Sequence, residues 1–146
     1  GWTIAPEWIT GAIRKVHDFL TVGAAAPLQE AGALALALPD SYYALLNAKY
    51  AERRTRMLGI LEACGFIVYR PGGAYYTIVD TRPLGFTHDV EFAKFLVTEI
   101  GVAVVPGSSF YQDPEKGRTQ VRFAFSKRME TFDEAERRLA KLRPRS

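Results

Sequence analysis

The 146 residues are 48% hydrophobic, 24% charged and 12% aromatic, a balance that fits a folded globular chain and excludes a disordered segment or a fibre. At this length one compact domain hides roughly 68–70% of the surface its unfolded chain exposes, so a core forms without staples. The net charge of +3 is concentrated at one end: Arg137, Arg138, Lys141, Arg143 and Arg145 crowd the last ten positions, and all 16 acids lie at or before Glu136. Without those five, 14 basic residues face 16 acidic ones, a body of −2. The excess therefore reads as a basic helix end, which the helix dipole favours, ahead of a nucleic-acid patch.

Cys64 is the single cysteine, so no intramolecular disulfide can form, which suits a reducing cytoplasm. No apolar stretch reaches the ~18 residues of a membrane span, and the N-terminus lacks a signal-peptide pattern. The sequence begins with Gly1-Trp2 in place of Met, as expected of a processed or excised chain.

Pro6 and Glu7 open a helical pattern with Ile9, Ile13, Val16 and Leu20 on one face. A second helix follows Pro27, from Leu28 to Leu38, so rich in alanine and leucine that burial on most sides is expected. Pro39-Asp40-Ser41 punctuates the chain, and a third, longest helix is predicted from Ser41 to Cys64, with Tyr43, Leu46, Tyr50, Met57 and Leu61 on one face. Gly65 is placed to end it in a left-handed conformation.

The period then changes. Residues 66–69 and 74–79 read as two strands joined through Arg70-Pro71-Gly72-Gly73. Residues 87–100 read as a helix, 102–105 as a short apolar strand stopped by Pro106-Gly107, and 120–125 as an alternating strand. Thr131 and Glu134 have the spacing of a capping box at the start of a last helix. Three helices followed by β-β-α-β-β-α predict an α+β fold: a mostly antiparallel sheet with helices packed on one face, in a single domain spanning residues 1–146.

Few residues suggest chemistry. Arg122 alternates with Val121 and Phe123, so it faces away from them. An arginine there is either half of a cross-strand ion pair on a solvated face or a planar fork waiting for an anion such as a carboxylate. Gly72-Gly73 supplies room for positive φ, as a plain hairpin turn also would. Pro106-Gly107-Ser108-Ser109-Phe110 fails the nucleophile-elbow pattern. His17 and His88 fall in predicted helical regions without acidic or cysteine partners, and no metal site is expected. Tyr75 and Tyr76 read as packing residues, one of them facing away from the core.

Several segments, in order along nearly the whole chain, resemble class I/II aminotransferases of the aspartate-aminotransferase-like superfamily (fold type I). Gly1 to Glu7 is similar to the stretch soon after that family's pyridoxal-phosphate (PLP) lysine, and Ala12 to Gly23, then Pro27 to Ala31, to the helix and turn that follow. Arg70 to Tyr76 resembles its glycine-containing hairpin, Val104 to Phe110 its "PGS-x-F" loop, and Val121 to Ser126 its arginine-bearing strand.

The resemblance implies a fold type I small C-terminal domain with its leading helices. It implies that Arg122 holds the substrate α-carboxylate, that Gly73 lies near the substrate entrance and that Tyr75 flanks the pocket. Thr21 would approach the cofactor phosphate of a neighbouring subunit. The implied intact enzyme is a cytoplasmic homodimer that uses PLP to move an amino group between an amino acid and a 2-oxo acid. PLP supplies the electron sink for that chemistry.

One departure matters: the family's Schiff-base lysine would lie before Gly1, and Lys15, Lys49, Lys94, Lys116, Lys127 and Lys141 match no lysine of that role. No catalytic residue and no covalently held cofactor are therefore expected in this chain, and residues 1–38 are expected to dock on a large domain outside it. The rival readings are a free-standing, non-catalytic domain of the same fold that binds a carboxylate or dimerises, and a nucleic-acid module using the basic tail.

Overall fold

The computed structural model describes residues 1–142 and divides the chain into two compact units, Gly1–Tyr43 and one beginning at Ala44. Arg143 and Arg145 of the basic tail lie outside the described residues.

The first unit holds helix α1 (Glu7–Thr21) and helix α2 (Ala26–Leu36). Neither contains a buried residue. This corrects the expectation for residues 28–38: Leu28, Leu34, Leu36 and Leu38 are all exposed. Composition alone suggested burial, but the Gly1–Tyr43 unit provides α2 with no surface to bury against.

Helix α3 (Asp40–Ala63) begins one residue earlier than predicted and buries Met57, Leu58, Ile60 and Leu61. Tyr50 packs against the core, whereas Tyr43 and Leu46 of the expected face are exposed. The helix ends as Gly65 suggested, at φ +88°. Gly65 N–H donates to Glu62 O (3.0 Å) and Phe66 N–H to Leu61 O (3.2 Å), the paired bonds of a Schellman motif.

Because Phe66 closes that motif, strand β1 starts at Ile67 (Ile67–Tyr69). Strand β2 (Tyr76–Asp80) starts two residues later than predicted, because Ala74 takes a left-handed φ of +62°. That backbone strain falls on Ala74 and not on Gly72 or Gly73, which corrects the sequence expectation for the turn. Arg54 steadies this turn by donating to Pro71 O at 3.2 Å.

The helix expected over residues 87–100 divides into helix α4 (Asp89–Phe95) and a π turn, Leu96–Ile100. Thr98 Oγ1 donates back to Lys94 O at 3.1 Å, an i−4 bond that competes with regular helix bonding. Strand β3 is Val105–Pro106, starting three residues later than predicted and running one residue further, because only these two residues find partners on β4. Strand β4 is Gln120–Ala124 and the last helix, α5, is Met129–Leu139.

The predicted capping box does not form. Helix α5 starts two residues early with Arg128 as its N-cap and no side-chain cap, leaving Thr131 inside the first turn. Glu134 instead accepts from Arg137 and Arg138. These two members of the basic cluster are thus already paired with an acid.

The sheet has the order β1-β2-β4-β3 and is antiparallel throughout. Thr77 and Val79 of β2, with Val121, Phe123 and Phe125, face one side and are buried. Leu61, Phe92, Leu96, Phe132 and Leu139 from the helices join that face in a single hydrophobic cluster. Rings of Phe66, Phe86, Phe92 and Phe123 meet edge to face with centroids 4.7–5.8 Å apart. The opposite face carries Tyr76, Ile78, Arg122 and Ala124, all half-buried. This is the α+β arrangement the sequence predicts, and it leaves one sheet face free to form a site.

Candidate functional site

Arg122 sits in the middle of β4, paired with Ile78 on one side and Val105 on the other. Its guanidinium carbon lies 4.7 Å from the centroid of the Tyr76 ring and 4.5 Å from that of Phe110. Tyr76 is two residues from the cross-strand partner of Arg122, on the same face, so register places its ring within reach. Phe110 arrives from the loop after β3.

Arg122 Nε is buried and has no hydrogen-bond partner. Among the described residues no carboxylate pairs with the guanidinium, so the cross-strand ion pair considered from the sequence does not form. Two aromatic faces steady the plane of the group through cation–π attraction and packing, but neither satisfies an in-plane N–H donor. A planar cation so held is suited to an anion with two coplanar oxygens.

Arg122 also lines a cleft of about 490 Å³ with Val102, Val104, Lys127, Glu134 and Arg138. Glu134 is held down to about 2 by hydrogen bonds from Arg137 and then Arg138, so it is spent as a counter-charge. Most of the lining is apolar, with Arg122 and Lys127 as the basic side chains that Glu134 does not pair. Lys127 is exposed, unlike the desolvated lysine that amine catalysis requires.

The loop carrying Phe110 is anchored tightly. A Cβ added at Gly107 would lie 2.6 Å from Gly117 O, and one added at Gly117 would lie 2.3 Å from Gly107 C. The two backbones thus cross at a distance only glycine permits. Asp89, at 4% exposure, accepts from Ser108 N–H through Oδ2 at 2.7 Å.

Gly73 and Tyr75 share the unit of Arg122. Gly73 is exposed, and a Cβ built on it meets nothing within 4 Å. Tyr75 is half exposed, with its ring edge-on to Tyr76 at 5.6 Å, while its carbonyl accepts from Phe125 N–H at 2.8 Å. Tyr76, not Tyr75, touches the arginine. Thr21 belongs to the other unit, at the end of α1, where its hydroxyl is within 2.8 Å of His17 Nε2 and 3.3 Å of His17 O. Arg122 and Thr21 fall in different units, and among the described residues every lysine is exposed. His88 occupies the N-cap position of α4 without a side-chain capping bond, and Arg118 lies 2.7 Å from its Nε2.

Sequence reasoning missed Tyr76 as the partner of Arg122, and it missed Phe110 and Asp89. Same-face spacing from Arg122 could have found Tyr76. Nothing local marks the other two, because loop closure brings them in.

The arrangement matches known proteins over almost its full length. The family model for aminotransferase class I and II covers residues 1–139. A Mycobacterium tuberculosis protein described as a probable N-succinyldiaminopimelate aminotransferase is 37% identical over 99% of this chain and 38% of its own length. The methionine aminotransferase of Escherichia coli is 33% identical, over 97% of this chain and 36% of its own. A solved structure of the M. tuberculosis N-succinyldiaminopimelate aminotransferase superposes with a TM-score of 0.88 over 98% of this chain and 37% of that one. This chain belongs to the class I and II aminotransferases, with a fold type I small-domain architecture. It spans less than two fifths of the length of these relatives.

Proposed function

We propose that this chain is the C-terminal, carboxylate-recognising part of a PLP-dependent aminotransferase that moves an amino group between an amino acid and a 2-oxo acid. The observation that carries the reading is Arg122: Nε buried and unpartnered, the guanidinium flanked by Tyr76 and Phe110, no carboxylate of the chain against it. A substrate α-carboxylate supplies the missing acceptor by two parallel hydrogen bonds. Gly73 leaves open space beside the hairpin, and Tyr75 stands edge-on to Tyr76, which supports a place for both beside the substrate.

When bound, PLP supplies the electron sink for breaking the bond to the Cα proton. The lysine for that chemistry is provided outside this chain. Thr21, beside His17 at the end of α1, is assigned to the cofactor phosphate of a neighbouring subunit in a homodimer. Residues 1–38 dock on the large domain, which accounts for the bare apolar side chains of α1 and α2. Among the described residues no helix is long and apolar enough to cross a membrane. The cytoplasmic location is proposed from the family resemblance. A free-standing domain of the same fold that stays monomeric would leave that apolar surface uncovered.

Arg122→Ala in the full-length gene product is the test. Losing a charge-assisted pair is expected to lower kcat/KM for amino acids about 10- to 150-fold. A primary amine with the same side chain but no carboxylate should react as slowly with the variant as with the wild type. If the amino acid loses no more than the amine, Arg122 does not recognise the carboxylate.

A further inference from the structure

Asp89 stands 33 residues before Arg122 in sequence and touches neither ring of the site, yet it joins the parts that build the site. It is the first residue of α4 and is 4% exposed, although it is a carboxylate. Its side chain accepts from Ser108 N–H at 2.7 Å. Its own N–H donates to Arg118 O, also at 2.7 Å. One residue therefore grips both ends of the 108–118 loop, just beyond the close crossing of Gly107 and Gly117.

The 3-10 turn that begins at Gly107 ends at Phe110, whose ring lies 4.5 Å from the Arg122 guanidinium. Ser108, the residue Asp89 holds, is two positions away. Isolating a buried carboxylate from water is costly, and a backbone N–H at charge-assisted distance is the compensation Asp89 receives. The start of α4 adds a favourable dipole end for the negative charge.

We propose that Asp89 is a positioning residue for the carboxylate site, holding the Gly107–Phe110 turn so that Phe110 fixes the plane of Arg122. The inference rests on the reading of Arg122 given above. Asp89 touches neither substrate nor cofactor, and its effect passes through Ser108 and Phe110.

The experiment compares Asp89→Ala, Asp89→Asn and Phe110→Ala in the full-length gene product, with an amino acid and with the matching primary amine that lacks the carboxylate. Asp89→Ala should raise KM for the amino acid about 5- to 30-fold, the equivalent of a lost arginine–aromatic contact. The kcat and the reaction with the amine should be little changed. Phe110→Ala should reproduce the same selective loss. Asp89→Asn keeps an oxygen to accept from Ser108 N–H and should recover most of the KM. Equal losses with amino acid and amine, or no rescue by asparagine, would overturn the positioning role. Arg122→Ala in the same assays separates the two ideas. If it fails to discriminate acid from amine, the carboxylate reading falls and this inference with it. If it discriminates while Asp89→Ala does not, only the role of Asp89 falls.

Discussion

Helices α1 and α5 carry the same kind of sequence stripe, apolar on one side and charged on the other, and the stripes end differently. In α5, Phe132 and Leu139 are buried at 1% exposure each within the hydrophobic cluster. In α1, which buries no residue, Phe19 is 93% exposed and Leu20 76%. A periodic stripe tells that a helix face seeks cover, whereas tertiary context decides whether cover exists. The Gly1–Tyr43 unit supplies the request without the answer. The unit beginning at Ala44 supplies both, and it is where the candidate site lies.

The sharpest way to break this contrast is a pair of truncations. Phe92 is fully buried among Phe66, Phe86 and Phe95. Phe92→Ala in this chain is expected to cost about 3–5 kcal/mol in urea unfolding. Phe19→Ala, on the exposed side of α1, should stay within about 0.5 kcal/mol. A comparable loss at Phe19 would show that its face is covered in this chain after all.

A smaller effect tests the polar part of the same core. Asp80 is 1% exposed at the end of β2, where Arg82 reaches it by both side chain and backbone, with contacts of 2.7–3.0 Å. Burial alone pushes its carboxyl up, but the Arg82 bonds outweigh it and leave it below the usual carboxylate range. Asp80→Ala is expected to cost about 1–3 kcal/mol by the same measurement. A change near zero would mean that the buried charge is no better off than an apolar side chain.

These residues also mark what the sequence could and could not convey. Helix α3 and its end at Gly65 were legible because periodicity and a left-handed cap are local signals. The alternation of β4 likewise placed Arg122 opposite Val121 and Phe123. The resemblance of whole segments to one family then favoured the carboxylate reading, which alternation alone left open and which is proposed above. The start of α5 was misread because Glu134 bonds two arginines in place of the Thr131 backbone. Phe110 and Asp89 were invisible as site residues because their roles exist only once two glycines let distant backbones cross. Local rules reach a turn or a register, and the pieces brought together by loop closure lie beyond them.

The smallest effect concerns how α5 keeps its cover. Arg138 joins Glu134 at 2.6 Å and Gly101 O at 2.6 Å, tying the helix to the end of the π turn. Bonds from Arg137 and then Arg138 lower Glu134 from an unfolded value of 4.5 to about 2. A carboxylate depressed on folding contributes stability that is fully present above its unfolded value and fades as pH falls through the folded one. Glu134→Gln should therefore melt slightly below the wild type at pH 7. That gap should narrow below pH 4.5 and close near pH 2. Because the side chain is largely solvated, the gap should also shrink in high salt. Thermal melts from pH 7 to pH 2 decide it. A gap that persists unchanged at the acid end would mean that Glu134 acts through packing, and the polar hold on α5 would then rest on the Arg138 bond to Gly101 O and the Arg56 bonds to Asp133 and Glu136.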